Sequence, residues 1–251
     1  MVVENQIDIL ALVESDEIDS NYLISELHKA NINYKNHEIL TAKSGIMLFS
    51  KSDIKISVIK EERHYSVFKV YNSDYLYLLF VVHLISPISR GEEARNERAK
   101  STSKLFEKME QDIFKDDKYK SIIVGDFNLH PFSSGIIGAH GFNATLSPFK
   151  AKKNWRKIDD DKKFFYYNPM WKLMGNDEIA QGTYYNNSDE NDKSFYWYTF
   201  DQILLRPLLI EQFVMKELKI VTNVNGDPLI KNYIIDKVKY SDHLPIKFEI
   251  S

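Results

Sequence analysis

The stretch SIIVGDFNLHP, residues 121–131, decides how the rest of the chain reads. Ile122, Ile123 and Val124 form a short apolar, β-branched run, which favours a buried strand. Gly125 and Pro131 end it, and between them stand Asp126 and Asn128. The stretch predicts a carboxylate and an amide, two residues apart, at the carboxyl end of a central strand. Residues two apart on a strand share a face, so the pair can address one phosphate or one metal-bound water. Such strand ends are common places for chemistry in layered α/β folds. The same residues also suit a strand followed by an Asx-type turn. The rest of the chain must decide.

With 251 residues the chain is long enough to bury a sizeable core in one large domain or two small ones. Its 43% hydrophobic and 27% charged residues are values of an ordinary globular protein. A formal net charge of −3 provides no global field for nucleic acid, so any such attraction must be local. Cysteine is absent, which excludes disulfides and thiolate metal sites and fits a reducing compartment. No run of about 18 apolar residues predicts a spanning helix. MVVENQIDIL lacks the build of a signal peptide, so the expected location is the cytoplasm.

Outward from the central stretch, apolar runs alternate with polar helices. IDILALVES (7–15) reads as a buried strand with Glu14 at its mouth. Asp19 or Ser20 caps a helix to about Lys29, with Tyr22, Leu23, Leu27 and Ala30 inward. NYKNHEIL, GIMLFS and IKISVIK follow at strand length. HYSVFKVY (64–71) and YLYLLFVVHLIS (75–86) form a pair around an Asn72-Ser73-Asp74 turn, the second passing through His83. A helix over residues 91–115 presents Leu105, Phe106, Met109 and Ile113 on one face, with Arg95 and Arg98 near its start. After a short helix at 133–138, residues 140–200 are irregular and aromatic. TFDQILLRP (199–207), FVMKELKIV (213–221) and LPIKFEI (244–250) close the chain as strands. Paired strands with inserted helices argue a layered α/β sandwich in one domain.

Five strand ends carry the polar groups that chemistry needs: Glu14, His83, Asp126 with Asn128, Asp201, and Asp242 with His243. Taken singly, a His after an apolar strand is an ordinary structural residue. Asp201 inside TFDQILL is stranger, because a buried carboxylate is costly unless paired. A histidine resolves that cost, since an ionised Asp stabilises an imidazolium and fixes its tautomer. An Asp201–His243 pair is the physically sensible one.

In that order, DILALVE, VVHL, GDFNLHP, FDQIL and YSDHLPI resemble the endonuclease/exonuclease/phosphatase superfamily of metal-dependent phosphoesterases, over nearly the whole chain. The resemblance implies a four-layer α-β-β-α sandwich of two mixed, mainly antiparallel sheets, with the site where the sheets meet. It implies Glu14 as a Mg²⁺ ligand, Asp242 close to the metal, and Asp126 orienting or deprotonating the attacking water. Asn128 would hold water or a phosphate oxygen, Asp201 would pair with His243 on the scissile phosphate, and His83 would sit by the phosphate or leaving group. The Tyr-Pro-Asn-type segment of abasic-site endonucleases is missing, and Arg63-His64 stands where some nucleases carry Arg-Glu. Family members open with a strand bearing a metal-side Asn and then a helix. This chain starts at what reads as the end of that helix, so residues 1–251 are expected to be a single domain shortened at its N-terminus.

Such a centre needs a hard cation, Mg²⁺ or Mn²⁺, held by carboxylates. For substrate, KAKKNWRKIDDDKK (150–163) and FYWY (195–198) mix basic and aromatic side chains, the means by which single strands are held. Lys153, Trp155, Arg156, Trp197 and Arg98 are the residues expected to bind it, although Asp159, Asp160 and Asp161 cancel much of the charge. The expected activity is a metal-dependent nuclease on DNA or RNA. The rivals are an inositol-phosphate or phospholipid phosphoesterase on the same scaffold, and a catalytically impaired nucleic-acid-binding protein.

Overall fold

A computed structural model of the chain describes residues 1–37, 44–71, 76–87, 90–174, 180–188 and 194–251. The first strand, β1 (Ile9–Leu12), is followed by α1 (Ser20–Lys29), whose Asp19 cap accepts from the backbone N–H groups of Asn21 and Tyr22. Strands β2 (Tyr34–Asn36) and β3 (Met47–Lys51) join β1 in an antiparallel sheet of order β1-β3-β2.

A second, mixed sheet forms the body of the molecule. It contains β4 (Lys55–Glu62), β5 (Tyr65–Tyr71), β6 (Leu76–His83), β7 (Ser121–Asp126), β8 (Ala144–Thr145), β11 (Tyr166–Tyr167) and β14 (Asp201–Leu205), in the order β4-β5-β6-β7-β14-β11-β8. Between β8 and β11 runs the hairpin β9 (Trp155–Ile158) and β10 (Asp161–Phe164); between β11 and β14 runs β12 (Tyr184–Tyr185) with β13 (Trp197–Tyr198). Strands β6 and β7 are parallel, so the chain needs a crossover. Helix α2 (Glu92–Ile113) supplies it.

Alternation along the strands builds the layers. Leu79 and Val81 of β6 face Leu48, Ile9 and Ala11 of the small sheet, in the core between the sheets. Leu78, Phe80 and Val82 face the other way, onto Ala99 and Phe106 of α2. On the far side of the small sheet, Leu10 and Phe49 pack on Leu27 of α1. The result is the expected α-β-β-α sandwich, each interface stabilised by burying large apolar side chains at about 1.5–3 kcal/mol apiece.

Local readings needed correction where burial is decided by distant partners. Leu105 and Tyr22, expected inward, are exposed. The inner face of α2 instead includes Thr102, Ser103 and a fully buried Glu110. Glu110 lies at the Ser121 end of the large sheet, where Arg206 clasps it with bonds of 2.9 and 2.5 Å, and Tyr166 donates to it at 2.9 Å. The strands expected over 213–221 and 244–250 shrink to the pairing of Lys219–Ile220 with Ile246–Lys247. Phe213 and Leu218 are buried, and Phe248 and Ile250 half-buried, against the inter-sheet core, with an isolated bridge between Phe213 and Ile250 beyond that pairing. The turn at 72–74 and most of the strand expected after Asn36 fall outside the described residues.

Candidate active site

Three neighbouring strands of the large sheet meet at one edge. His83 closes β6, Asp126 closes β7, and Asp201 opens β14. Asp126 is in register with both His83 and Asp201. In-register neighbours share a face, roughly 5 Å apart, so the three side chains form a row. A glycine makes the row possible. Gly125 has φ +131°, and a Cβ there would lie 2.1 Å from the Val82 carbonyl oxygen.

Beyond Asp126 the chain turns back on itself. Asn128 sits in the left-handed region at φ 51°, which Asn tolerates. Its backbone N–H donates to Asp126 Oδ1 and its side-chain amide to Oδ2, both at 2.7 Å, while the amide also donates to the Leu84 carbonyl at 2.9 Å. The Asx turn read as an alternative is thus the device that orients the carboxylate. Asp126 and Asn128 are both buried.

His243 comes from the far end of the chain. Tyr184 pairs with it as an isolated β-bridge, and the two rings lie 4.9 Å apart, tilted by 43°. Its Nδ1 donates to Asp201 Oδ2 at 2.8 Å. Asp242, beside it, is exposed at the mouth, as is Glu14. Glu14 Oε1 lies 3.1 Å from His83 Nε2, without hydrogen-bond geometry, and Asp126 Oδ2 lies 3.8 Å from the same nitrogen.

The electrostatics follow from this packing. Burial, then the neighbouring Asp201 carboxylate, pushes Asp126 up to about 7 against the pull of His243 and the Asn128 N–H. Burial works against charge on His243, but the Asp201 hydrogen bond and the Asp126 and Asp242 carboxylates outweigh it and raise it to about 9. His83 is lowered, chiefly by burial and despite Glu14. At neutral pH the site therefore holds an imidazolium beside a carboxyl poised to exchange a proton.

Asp126, Asp201 and His243 offer ligand atoms within 4.8 Å of one another. A charged His243 has no lone pair to give a metal, so the carboxylates are the better donors. Burial and then the Asp201 carboxylate disfavour charge on Asp126, a cost that a cation at the site would offset. These hard oxygen donors, with Glu14 and Asp242 exposed at the same mouth, fit Mg²⁺ or Mn²⁺.

The structure gathers Glu14, His83, Asp126, Asn128, Asp201, Asp242 and His243 at this edge. It does not gather the whole expected substrate set. Lys153, Trp155 and Arg156 belong to or adjoin the β9–β10 hairpin, anchored by Asn154 to the Asp117 carbonyl at 3.2 Å and by Phe164 to Tyr119. Those anchors precede Ser121, so the six residues of β7, about 3.3 Å each, separate the hairpin from Asp126. Arg156 is spent on Asn143 at 2.7 Å. Trp197 is half-buried against Tyr185, and Arg98 is exposed. Arg95, one turn before Arg98, is the cation that reaches the site, donating through Nη1 to the Asn128 carbonyl. Helical phase distinguishes the two arginines, and the sequence left their directions open.

No protein-family model and no curated protein sequence matches this chain. Solved structures do. Zebrafish (D. rerio) TDP2, complexed with single-strand DNA product, is 14% identical with a TM-score of 0.53, over 100% of this chain and 88% of that one. An endonuclease/exonuclease/phosphatase family protein from Bacteroides thetaiotaomicron is 15% identical with a TM-score of 0.51, over 100% and 86%. An AP endonuclease from Archaeoglobus fulgidus is 14% identical with a TM-score of 0.51, over 100% and 91%. Likeness at this identity concerns the path of the chain, and chemistry must be argued from the side chains.

Proposed function

We propose that this chain, which has the endonuclease/exonuclease/phosphatase fold, belongs to that superfamily and is a divalent-metal-dependent phosphodiester hydrolase acting on DNA or RNA. The observation that carries the reading is the row His83–Asp126–Asp201 closed by a charged His243. Phosphodiester hydrolysis needs a proton acceptor for water, positive charge at the phosphoryl oxygens, and help for the leaving oxygen. Asp126, oriented by two donors from Asn128, is the proton acceptor near neutral pH. His243 is held charged and in one orientation by Asp201, and faces the phosphoryl oxygens. Asn128 orients, and His83 lies beside the leaving group. A Mg²⁺ or Mn²⁺ ion held by Glu14 and Asp242 would supply charge neutralisation and a more acidic water.

The fold of TDP2, crystallised with a single-strand DNA product, supports a nucleic-acid substrate. So does Arg95, a local cation in a chain of net charge −3. Incubating the protein with supercoiled plasmid, RNA, inositol phosphates and sphingomyelin, each with Mg²⁺, Mn²⁺ or EDTA, tests the proposal. Metal-dependent cleavage of plasmid or RNA is expected. Turnover of only the small phosphoesters or sphingomyelin would reassign the substrate, and turnover of none would refute the hydrolase reading.

A further inference from the structure

A chain of aromatic rings leads outward from His243. Tyr184 lies 4.9 Å from the His243 ring, Phe200 5.5 Å from Tyr184, and Tyr198 5.0 Å from Phe200. His130 stands 5.1 Å from Tyr198 and 4.9 Å from Phe195, the outermost ring. Phe195 is 55% exposed. A large apolar ring left in water at the end of such a series is informative, because Phe200 is buried and Tyr184, Tyr198 and His130 are half-buried.

Arg95 stands at the foot of this ledge. Its Nη1 bonds the carbonyl of Asn128, two residues before His130. Its Nε is buried without a hydrogen-bond partner. Buried donors are normally satisfied, so an Nε without a partner leaves this guanidinium, bonded through Nη1, with capacity for a further acceptor. Burial lowers Arg95, while Glu92, Asp126 and Tyr198 raise it, which sets the cation between the carboxylate row and the ledge.

We propose that Phe195, His130 and Tyr198, with Arg95 beneath them, form a stacking subsite for an unpaired nucleobase. An exposed ring face stacks on any base, and an arginine neutralises the adjoining phosphate, a combination that selects single strands over duplexes and tolerates any sequence. The subsite rests on the nucleic-acid reading above for its ligand class and makes it specific: the substrate is a single-stranded stretch or end.

Binding is tested on the intact chain in EDTA, where no hydrolysis occurs, with a fluorescein-labelled oligothymidylate and an abasic strand of the same length. The wild type should prefer the base-bearing strand. Phe195→Ala should weaken oligothymidylate binding roughly 5- to 150-fold and leave the abasic strand unaffected, while Phe195→Trp restores the preference. Arg95→Gln should weaken both and reduce the slope of log affinity against log salt by about 1. Equal binding of the two strands by the wild type, or an undiminished preference in Phe195→Ala, overturns the subsite; an unchanged salt slope removes Arg95 from it. A protein that nicks plasmid but ignores bases sinks the ledge alone. One that prefers bases but cleaves nothing sinks the hydrolase alone.

Discussion

His243 and Asp201 are 42 positions apart in the chain, yet the imidazole Nδ1 lies 2.8 Å from the Asp201 carboxylate. Thr183 helps hold both ends, accepting from the Asp201 N–H at 3.1 Å and from the Leu244 N–H, through its carbonyl, at 2.7 Å. The pair keeps the imidazole charged at neutral pH. His243→Ala and Asp201→Asn should each lower phosphodiester turnover roughly 10²–10⁴-fold. Steady-state rates on a cleaved substrate check this, with circular dichroism to establish folding; near-wild-type turnover in either variant would remove the pair from the chemistry.

Asp126→Asn removes the proposed proton acceptor and keeps one oxygen to accept from the Asn128 N–H, at the loss of the bond from the Asn128 side-chain amide. Turnover should fall by a similar factor. The metal-free variant should melt close to the wild type, because the end of the carboxylate repulsion with Asp201 offsets the lost bond from the Asn128 amide. A thermal melt in EDTA decides the second point, and a clearly lower midpoint would mean that the carboxylate is structural.

Gly125 is where fold and site are the same requirement. Ala at φ +131° is strained, and its Cβ would meet the Val82 carbonyl of the neighbouring strand. Gly125→Ala should destabilise by roughly 2–4 kcal/mol, read as a shift in urea midpoint. It should also separate His83 from Asp126. An unshifted midpoint would show that β7 moves without cost.

Much of this was legible in the sequence, for stated reasons. The β6 run alternates between two cores, so its centrality followed from being apolar on both faces. Asp201 advertised a partner through the cost of burying it. What stayed hidden depends on where segments go. The basic, aromatic 150–163 segment has the composition of a binding surface, but composition does not say which end of a sheet a hairpin occupies. Nothing near Glu110 in the chain signals its burial, because Arg206 stands 96 positions away. Arg95 and Arg98 differ only in helical phase.

That hidden Glu110–Arg206 pair has its own consequence. Both side chains are almost fully buried and bonded in two places. Removing one partner leaves an uncompensated buried charge. Glu110→Ala should cost about 3–5 kcal/mol, whereas an exposed pair such as Lys100 with Glu97 should give less than about 1 kcal/mol when broken. Equilibrium urea unfolding compares the two, and equal effects would contradict the burial argument.

Two histidines away from the row add to the acid sensitivity that the lowered His83 also brings. Burial lowers His37, with Lys35 adding to it. His64 is lowered mainly by burial, against its hydrogen bond to the His83 carbonyl, with Arg98 and Arg63 adding to the fall. Each therefore prefers to be neutral when folded, while the unfolded chain takes up protons near 6.5. Their contribution is complete above 6.5 and is lost as pH falls through the lower folded values. Asp126, raised to about 7, gains stability over the same fall in pH, so the part of the two histidines is read as the difference between the wild type and a variant that lacks them. From pH 7 to 5 the urea midpoint of His37→Gln with His64→Gln should fall less, or rise more, than that of the wild type, since glutamine does not titrate. A double variant with the wild-type pH dependence would remove both histidines from it.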